Sequence, residues 1–356
     1  MKETMKVVAI VDDHKVEAKQ VAMPGIETGK ITVKINACAL CTWEQRIFIR
    51  ESKMPLPFVG GHELVGEIYA VGEGIESEKY PVGQKVVVRL IGACGTCYYC
   101  RRGEQNLCTK SDVKEDAFLS VDGTIHYMGT GGLSQYLNVE PAQIFKMPQD
   151  IPDTTACFAE PLACVLNSIE RGKIELGDDV VVIGGGIMGM LHVMAAKLSG
   201  ARVIMSEPDP ERRKLAEELG ADIVFNPMEQ NPVDYIHNLT DGLGAEVVFN
   251  TTPISAVAQQ AIEMVAPMGR VIMYSSQHPD KPISVSPNWI HNTEAVITGA
   301  VSPSVRSFNR AVNLLSKGLI HPEKLMSGAF PIESAQEAFE TAVRPDTFRC
   351  VIRLSE

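Results

Sequence analysis

Positive charge is in short supply: 33 Lys and Arg stand against 44 Asp and Glu, a formal net charge of −11. That balance offers no electrostatic footprint for a phosphate backbone, so neither nucleic acid nor an anionic membrane is an expected partner. A long uninterrupted apolar run is also missing. The nearest approach, Val180 to Ala196, carries Gly184, Gly185, Gly186, Gly189 and His192, and reads as a strand, a glycine turn and a buried helix, not a membrane span. No secretory signal is expected either: the opening MKETMKVVAIVDD has only a short apolar stretch before Asp12 and Asp13 and reads as a first strand. The expected location is therefore the cytoplasm, where the nine cysteines stay reduced. There is no internal repeat and no low-complexity linker. What remains is a soluble chain of 356 residues, 45% hydrophobic, long enough for roughly two domains with sizeable cores.

The two halves have different rhythms. From Met1 to about Ala156, short β-rich runs (Lys30 to Ala37, Glu63 to Val71, Gln84 to Leu90) are separated by Gly, Pro and Asn, which predicts a mostly β domain with long functional loops. From about Cys157, strands alternate with helices. Asp179 to Gly184 precedes a helix at Met188 to Ser199, and Arg202 to Ser206 precedes one at Pro210 to Leu219. Strands at Ile223 to Asn226, Glu246 to Thr251, Arg270 to Ser275 and Ala295 to Thr298 follow, with helices at Val233 to Leu239 and Ser255 to Val265. Apolar strands in such alternation predict an α/β unit with a doubly wound parallel sheet. The chain then closes with helices at Ser307 to Lys317 and Ser334 to Val343 and a strand at Phe348 to Leu354.

Four cysteines, Cys94, Cys97, Cys100 and Cys108, form a C-x2-C-x2-C-x7-C run interleaved with Gly92, Gly95 and Gly103. Four thiolates so close in sequence can close a tetrahedral shell around a structural zinc ion. Disulfides are one alternative, disfavoured in a reduced chain of this length. An iron–sulfur cluster is another, but Thr109 follows Cys108 where a bacterial cluster motif often has proline.

The run Val180 to Gly189 is a strand followed by G-x-G-x-x-G and a helix. Gly184 permits the tight turn, Gly186 lets the backbone approach a pyrophosphate, and Gly189 lets the helix pack against the strand. Ile187 and Met188 open the helix, whose free N–H groups would face the phosphates. About twenty residues on, Glu207 ends the next apolar run, where a carboxylate accepts from a ribose diol and repels a 2′-phosphate. NAD is the expected cofactor, although Arg212 and Arg213 nearby leave room for a phosphate. A solvated strand end is the plain alternative for Glu207.

Three further segments hold ligand types: Cys41 in CALCTWEQR, His62 with Glu63 in GGHELVG, and Glu160 in AEPLAC. Singly, each has an ordinary reading: a small buried thiol for Cys38 or Cys41, a satisfied core histidine, a carboxylate at a helix N-terminus. Their spacing alone does not join them.

In order, however, C-x2-C, GHE, the four-cysteine lobe, EPL and G-x-G-x-x-G resemble the zinc-containing medium-chain dehydrogenase/reductase family over essentially the whole chain, with EPLAC closest to its sorbitol (L-iditol) and related polyol branch. The resemblance implies a GroES-like catalytic domain from 1–156 and 299–356, with a structural-zinc lobe at 92–109, around a Rossmann NAD-binding domain at 157–298. It implies two zinc ions per subunit. One is catalytic, on Cys41 and His62, with Glu63 and Glu160 coordinating directly or through water, and Cys38 is not a ligand. It further implies a secondary alcohol/ketone substrate, a polyol first, and a homodimer or homotetramer. An amino-alcohol of the threonine type, a steroid-like alcohol, and a non-catalytic NAD-binding redox sensor are the rival readings. One position departs from the family: Trp43 stands where the polyol enzymes usually carry a Ser or Thr that passes on the alcohol proton. An indole donates but cannot accept, so the relay would run through Thr42 or Glu63. The acidic residue after it is kept as Glu44, while Arg46 replaces a frequent histidine. Trp43 either walls the substrate pocket or packs into the core.

Overall fold

Runs such as ITVKINACA become strands because Ile31, Val33, Ile35, Ala37 and Ala39 recur at every second position and line one buried face, with Lys34 and Asn36 only partly covered on the other. The computed structural model describes residues 3–109, 117–120, 123–277 and 279–355, which fall into two units: Met1–Pro161 with Ser304–Glu356, and Leu162–Pro303.

In the first unit, Ile31–Ala39 is the hub. It pairs antiparallel with Glu63–Val71, Arg349–Arg353 and Tyr136–Val139. The seven-stranded sheet runs Met326–Pro331, Arg349–Arg353, Ile31–Ala39, Glu63–Val71, Lys85–Val88, Ile144–Lys146, with Tyr136–Val139 off that path. A four-stranded sheet joins Thr4–Asp12, Lys15–Ala22, Ala117–Ser120 and Gly123–His126. The last two strands fall between Lys110 and Gly132, where the sequence has no readable motif; residues 110–116 and 121–122 lie outside the described residues. Ile31, Val33, Ile35, Phe48, Phe58 and Phe339 are all fully buried in the core of this unit. Phe48, at the end of helix Thr42–Phe48, meets Phe339 of helix Ala335–Ala342 with ring centroids 5.2 Å apart.

The second unit is a six-stranded parallel sheet in the order Ile223–Phe225, Arg202–Ser206, Asp179–Ile183, Ala245–Asn250, Val265–Met273, Val296–Gly299. The chain runs outward from Asp179–Ile183 in one direction and then crosses to Ala245–Asn250 on its other side. Parallel sheets of this topology leave a ligand crevice at that reversal. Helix starts follow local chemistry. Asp209 caps Pro210–Glu218 by accepting the Arg212 N–H at 2.9 Å, and Asn231 caps Pro232–Leu239 through the N–H groups of Val233 and Asp234. The helix expected to reach Val265 ends at Glu263, and the strand expected from Arg270 begins at Val265. Pro267 and the positive φ of Met268 (62°) interrupt its pairing, with a register shift between Ala245 and Val247.

Candidate metal centres and dinucleotide site

The four cysteines Cys94, Cys97, Cys100 and Cys108 converge so that one sulfur from each lies within 4.8 Å of the others. None of the nine cysteines is joined in a disulfide, so the structure gives the disulfide alternative no support. The loop aims its own N–H groups at the sulfurs: Cys97 N–H donates to Cys94 at 3.3 Å, Cys94 N–H to Cys108 at 3.4 Å and Cys100 N–H to Cys97 at 3.5 Å. Such donors stabilise thiolates. The backbone N–H of Cys100, helped by that of Thr109, brings Cys97 down to about 6, whereas burial pushes Cys100 up to about 12. Four mutually close sulfurs held by backbone donors fit a closed tetrahedral metal shell.

The second constellation assembles from residues far apart in sequence. Cys41 stands at the N-cap of helix Thr42–Phe48 but makes no side-chain cap bond, and its thiol is hydrogen-bonded to His62 instead. His62 and Glu63 enter from the start of strand Glu63–Val71. One ligand atom from each of Cys41, His62 and Glu63 lies within 4.8 Å of the others. Glu160, in the first turn of helix Ala159–Gly172, is 7% exposed and near enough to raise the Glu63 pKa, but it does not join that tight group. Thr42 is exposed at the helix start, and Trp43 is half-buried. The indole meets Phe58 edge-on at 5.6 Å and His62 at 6.1 Å, so it leans on the core and on the His62 ring together.

Glu44 is fully buried, and its Oε1 sits 3.0 Å from His62 Nδ1 while accepting the Gly61 N–H at 2.9 Å. With Nδ1 so engaged, His62 is left with Nε2 for a metal. Burial works against charge on His62, yet Glu44 and Cys41 outweigh it and hold its pKa well above the usual imidazole range. Burial also pushes Glu63 up to about 7, against the pull of Arg349. Arg349, from strand Arg349–Arg353, is 2% exposed, with Nη2 2.8 Å from Glu63 Oε1 and Nη1 donating to the Leu40 carbonyl at 3.1 Å. Glu63 Oε2 is buried without a hydrogen-bond partner. An orphaned carboxylate oxygen beside a thiol and the second imidazole nitrogen is the donor set that zinc takes. Glu44 carried a weak signal, an acidic residue three positions after Cys41; Arg349, 286 residues beyond Glu63 in the chain, carried none.

In the second unit, Gly184 has φ 101°, a conformation other residues resist, and a Cβ on Gly189 would stand 1.8 Å from the Gly184 carbonyl oxygen. Gly186 is the extended N-cap of helix Ile187–Leu198, with nothing within 4 Å of where its Cβ would be. An open backbone at a helix N-terminus fits a pyrophosphate. Ile187 and Met188 are half-buried in the first turn. Glu207, 5% exposed, accepts the Gly185 N–H on Oε2 at 2.5 Å and the Asp209 N–H on Oε1 at 2.9 Å. Arg212 is half-buried, its N–H taken by Asp209, and the Arg213 guanidinium is bound to the carbonyls of Glu207 and Pro208.

Comparisons with known proteins agree with this geometry. Family models described as "Alcohol dehydrogenase GroES-like domain" and "Zinc-binding dehydrogenase" match residues 27–149 and 188–317. The chain is 30% identical over 346 residues to L-threonine 3-dehydrogenase of Pyrococcus horikoshii, with 95% of each covered. It belongs to the zinc-containing medium-chain dehydrogenases. Sorbitol dehydrogenase of Bacillus subtilis is another relative of this family, 25% identical over 348 residues, covering 96% of this chain and 94% of its own. A solved alcohol dehydrogenase from E. coli CFT073, complexed with NADH, superposes with a TM-score of 0.85 at 26% identity, covering 98% of this chain and 99% of that one. The protein is thus an oxidoreductase of the zinc alcohol dehydrogenase type acting on a small molecule, with zinc and NAD supported as cofactors. Among the described residues, no helix is long and apolar enough to cross a membrane.

Proposed function

We propose that this protein interconverts a secondary alcohol, a polyol such as sorbitol or L-iditol first, with its ketone. The reading rests above all on Cys41, His62 and Glu63, three ligand types brought within 4.8 Å of one another beside an orphaned carboxylate oxygen. In it, residues 1–156 and 299–356, joined by Glu160 from just past that boundary, carry the catalytic metal and the structural lobe at 92–109, and the rest of 157–298 binds the dinucleotide.

When bound, zinc supplies a Lewis acid for the alcohol oxygen and NAD the hydride acceptor. The chain supplies the rest. Cys41 and His62 hold the metal, with Glu63 and Glu160 as the carboxylates, and Glu44 fixes the His62 ring through Nδ1. Cys94, Cys97, Cys100 and Cys108 hold the structural ion. Gly184, Gly186 and Gly189, with Ile187 and Met188, form the cradle for the pyrophosphate, and Glu207 reads the ribose. Arg213 is occupied by backbone carbonyls, which supports NAD over its 2′-phosphate form. Trp43 cannot accept a proton, so Thr42, exposed beside Cys41, or Glu63 takes up the alcohol proton.

A second reading, an amino-alcohol substrate of the threonine type, is favoured by the 30% identity to L-threonine 3-dehydrogenase. An NAD(H)-coupled screen of the purified protein over polyols, diols, amino-alcohols and steroids decides between them. Turnover of threonine with polyols inert would replace the first reading by the second, and no turnover with NADH still bound would leave the redox-sensor reading. A homodimer or homotetramer in the cytoplasm completes the proposal, and sedimentation of the native protein tests the assembly.

A further inference from the structure

Glu207 is engaged before any cofactor arrives. Its Oε2 accepts the N–H of Gly185, the middle residue of the glycine turn, at 2.5 Å, and a Cβ on Gly185 would lie 2.9 Å from that same oxygen. Gly184 N–H is tied at 2.9 Å to the carbonyl of Ser206, the residue before Glu207. The tip of strand Arg202–Ser206 therefore holds two consecutive N–H groups of the turn, one by backbone and one by carboxylate.

The carboxylate is itself fixed from behind. Asp209 N–H donates to Oε1 at 2.9 Å, and Arg213 Nη1 donates to the carbonyls of Glu207 at 2.8 Å and Pro208 at 2.6 Å. Arg213 stands one turn into helix Pro210–Glu218, which Asp209 caps, so the guanidinium folds back over the bend that carries Glu207. A charged donor on two carbonyls holds a bend more firmly than a neutral one would. The Glu207 carboxylate is almost wholly buried.

We propose that Arg213 and Glu207 form a clamp that sets the Gly184–Gly186 turn in its phosphate-binding shape. On this view Glu207 positions the cradle as well as reading the ribose, and Arg213 is a positioning residue acting through Glu207. The inference rests on the dinucleotide reading above. It adds that ribose recognition and phosphate recognition are mechanically one device. Loss of the clamp then weakens a cofactor even where no diol is offered.

Two measurements on the full chain separate this from simple diol recognition. Amide hydrogen exchange of residues 183–190 in the cofactor-free protein should speed up by about tenfold in E207Q and R213A, the scale of losing one hydrogen bond to a charged group. R213K should restore part of the protection. In fluorescence titrations, R213A should weaken NADH and its 2′-deoxyadenosine analogue by similar factors, and E207Q should weaken both, NADH the more because its diol acceptor is lost as well. Unaltered exchange, or a loss confined to NADH, overturns the clamp. Wild-type protein that binds neither NADH nor NADPH would instead overturn the dinucleotide reading, while the exchange experiment still reports on the turn.

Discussion

Glu44 joins the two ends of the catalytic constellation, because its Oε1 lies 3.0 Å from His62 Nδ1 while its helix begins one residue after Cys41. A ligand histidine whose far nitrogen is held by a carboxylate keeps one tautomer and one ring orientation. Glu44→Gln keeps the shape and removes the charge. Metal affinity at this centre should fall by about 10–100-fold, with the four-cysteine metal retained. Competitive titration with a chromogenic chelator reads both sites at once.

The two centres should differ in lability. The four-thiolate shell is closed, while the other has a single thiol. Brief treatment with a mild chelator should remove one zinc per chain and abolish activity, with the far-ultraviolet spectrum intact. Release of both metals in a single phase would contradict the assignment.

Arg349 offsets charge in a place water does not reach. Its Nη2 lies 2.8 Å from Glu63 Oε1, and the two residues are 2% and 1% exposed. Truncating one member of a buried pair leaves the other uncompensated, so Arg349→Met should lower stability by about 3–5 kcal/mol. Restoration in the double variant Arg349→Met, Glu63→Gln, measured by urea unfolding of the metal-free protein, would identify the pairing as the cause.

That pair also marks the limit of what was legible in the sequence. The parallel sheet is legible because most of its strands are short apolar runs bounded by glycine, proline or a capped helix, all local features, whereas the first half of Val265–Met273 is masked by Pro267 and Gly269 within it. The cradle and the four-cysteine lobe are local too, each contained within about fifteen residues. Cys41, His62 and Glu160 needed resemblance to a family to be joined, since only the pairing of Ile31–Ala39 with Glu63–Val71 brings the first two together. Strands Ala117–Ser120 and Gly123–His126 are four residues each, with little apolar periodicity to announce them. Arg349 belongs to the site solely because its strand returns to Ile31–Ala39 from the far end of the chain.

His192 gives the second unit a defined acid sensitivity. It is fully buried, with Nδ1 2.7 Å from the Met188 carbonyl and Nε2 2.9 Å from Ser168 Oγ. Burial brings its pKa from 6.5 down to about 4. The unfolded chain then takes up the proton first as pH falls, so its contribution to stability is complete above 6.5 and is lost between 6.5 and 4. The loss should approach about 3 kcal/mol across that window. Denaturant midpoints for the wild type and His192→Gln should converge toward pH 4; parallel curves would show that other groups dominate.

Trp43 is where this chain departs from the family it belongs to, and its surroundings commit it to two tasks. The indole stands edge-on to buried Phe58 at 5.6 Å and to His62 at 6.1 Å, and it is half-buried. Trp43→Ala should therefore lower stability by about 2 kcal/mol, less than for a wholly buried tryptophan. It should also shift kcat/KM from small polyols toward bulky alcohols by about tenfold, the worth of one apolar contact of this size. A stability loss with an unchanged substrate ratio would reduce Trp43 to a packing residue. Trp43→Ser separates the proton route from the packing, since it returns a hydroxyl to the position beside Thr42. If the native route through Thr42 or Glu63 is a compromise, the serine variant should gain rate relative to the alanine variant, most of all at low pH, where alcohol deprotonation is hardest. Equal pH profiles for serine and alanine would mean that the proton leaves by a path that never passes this position.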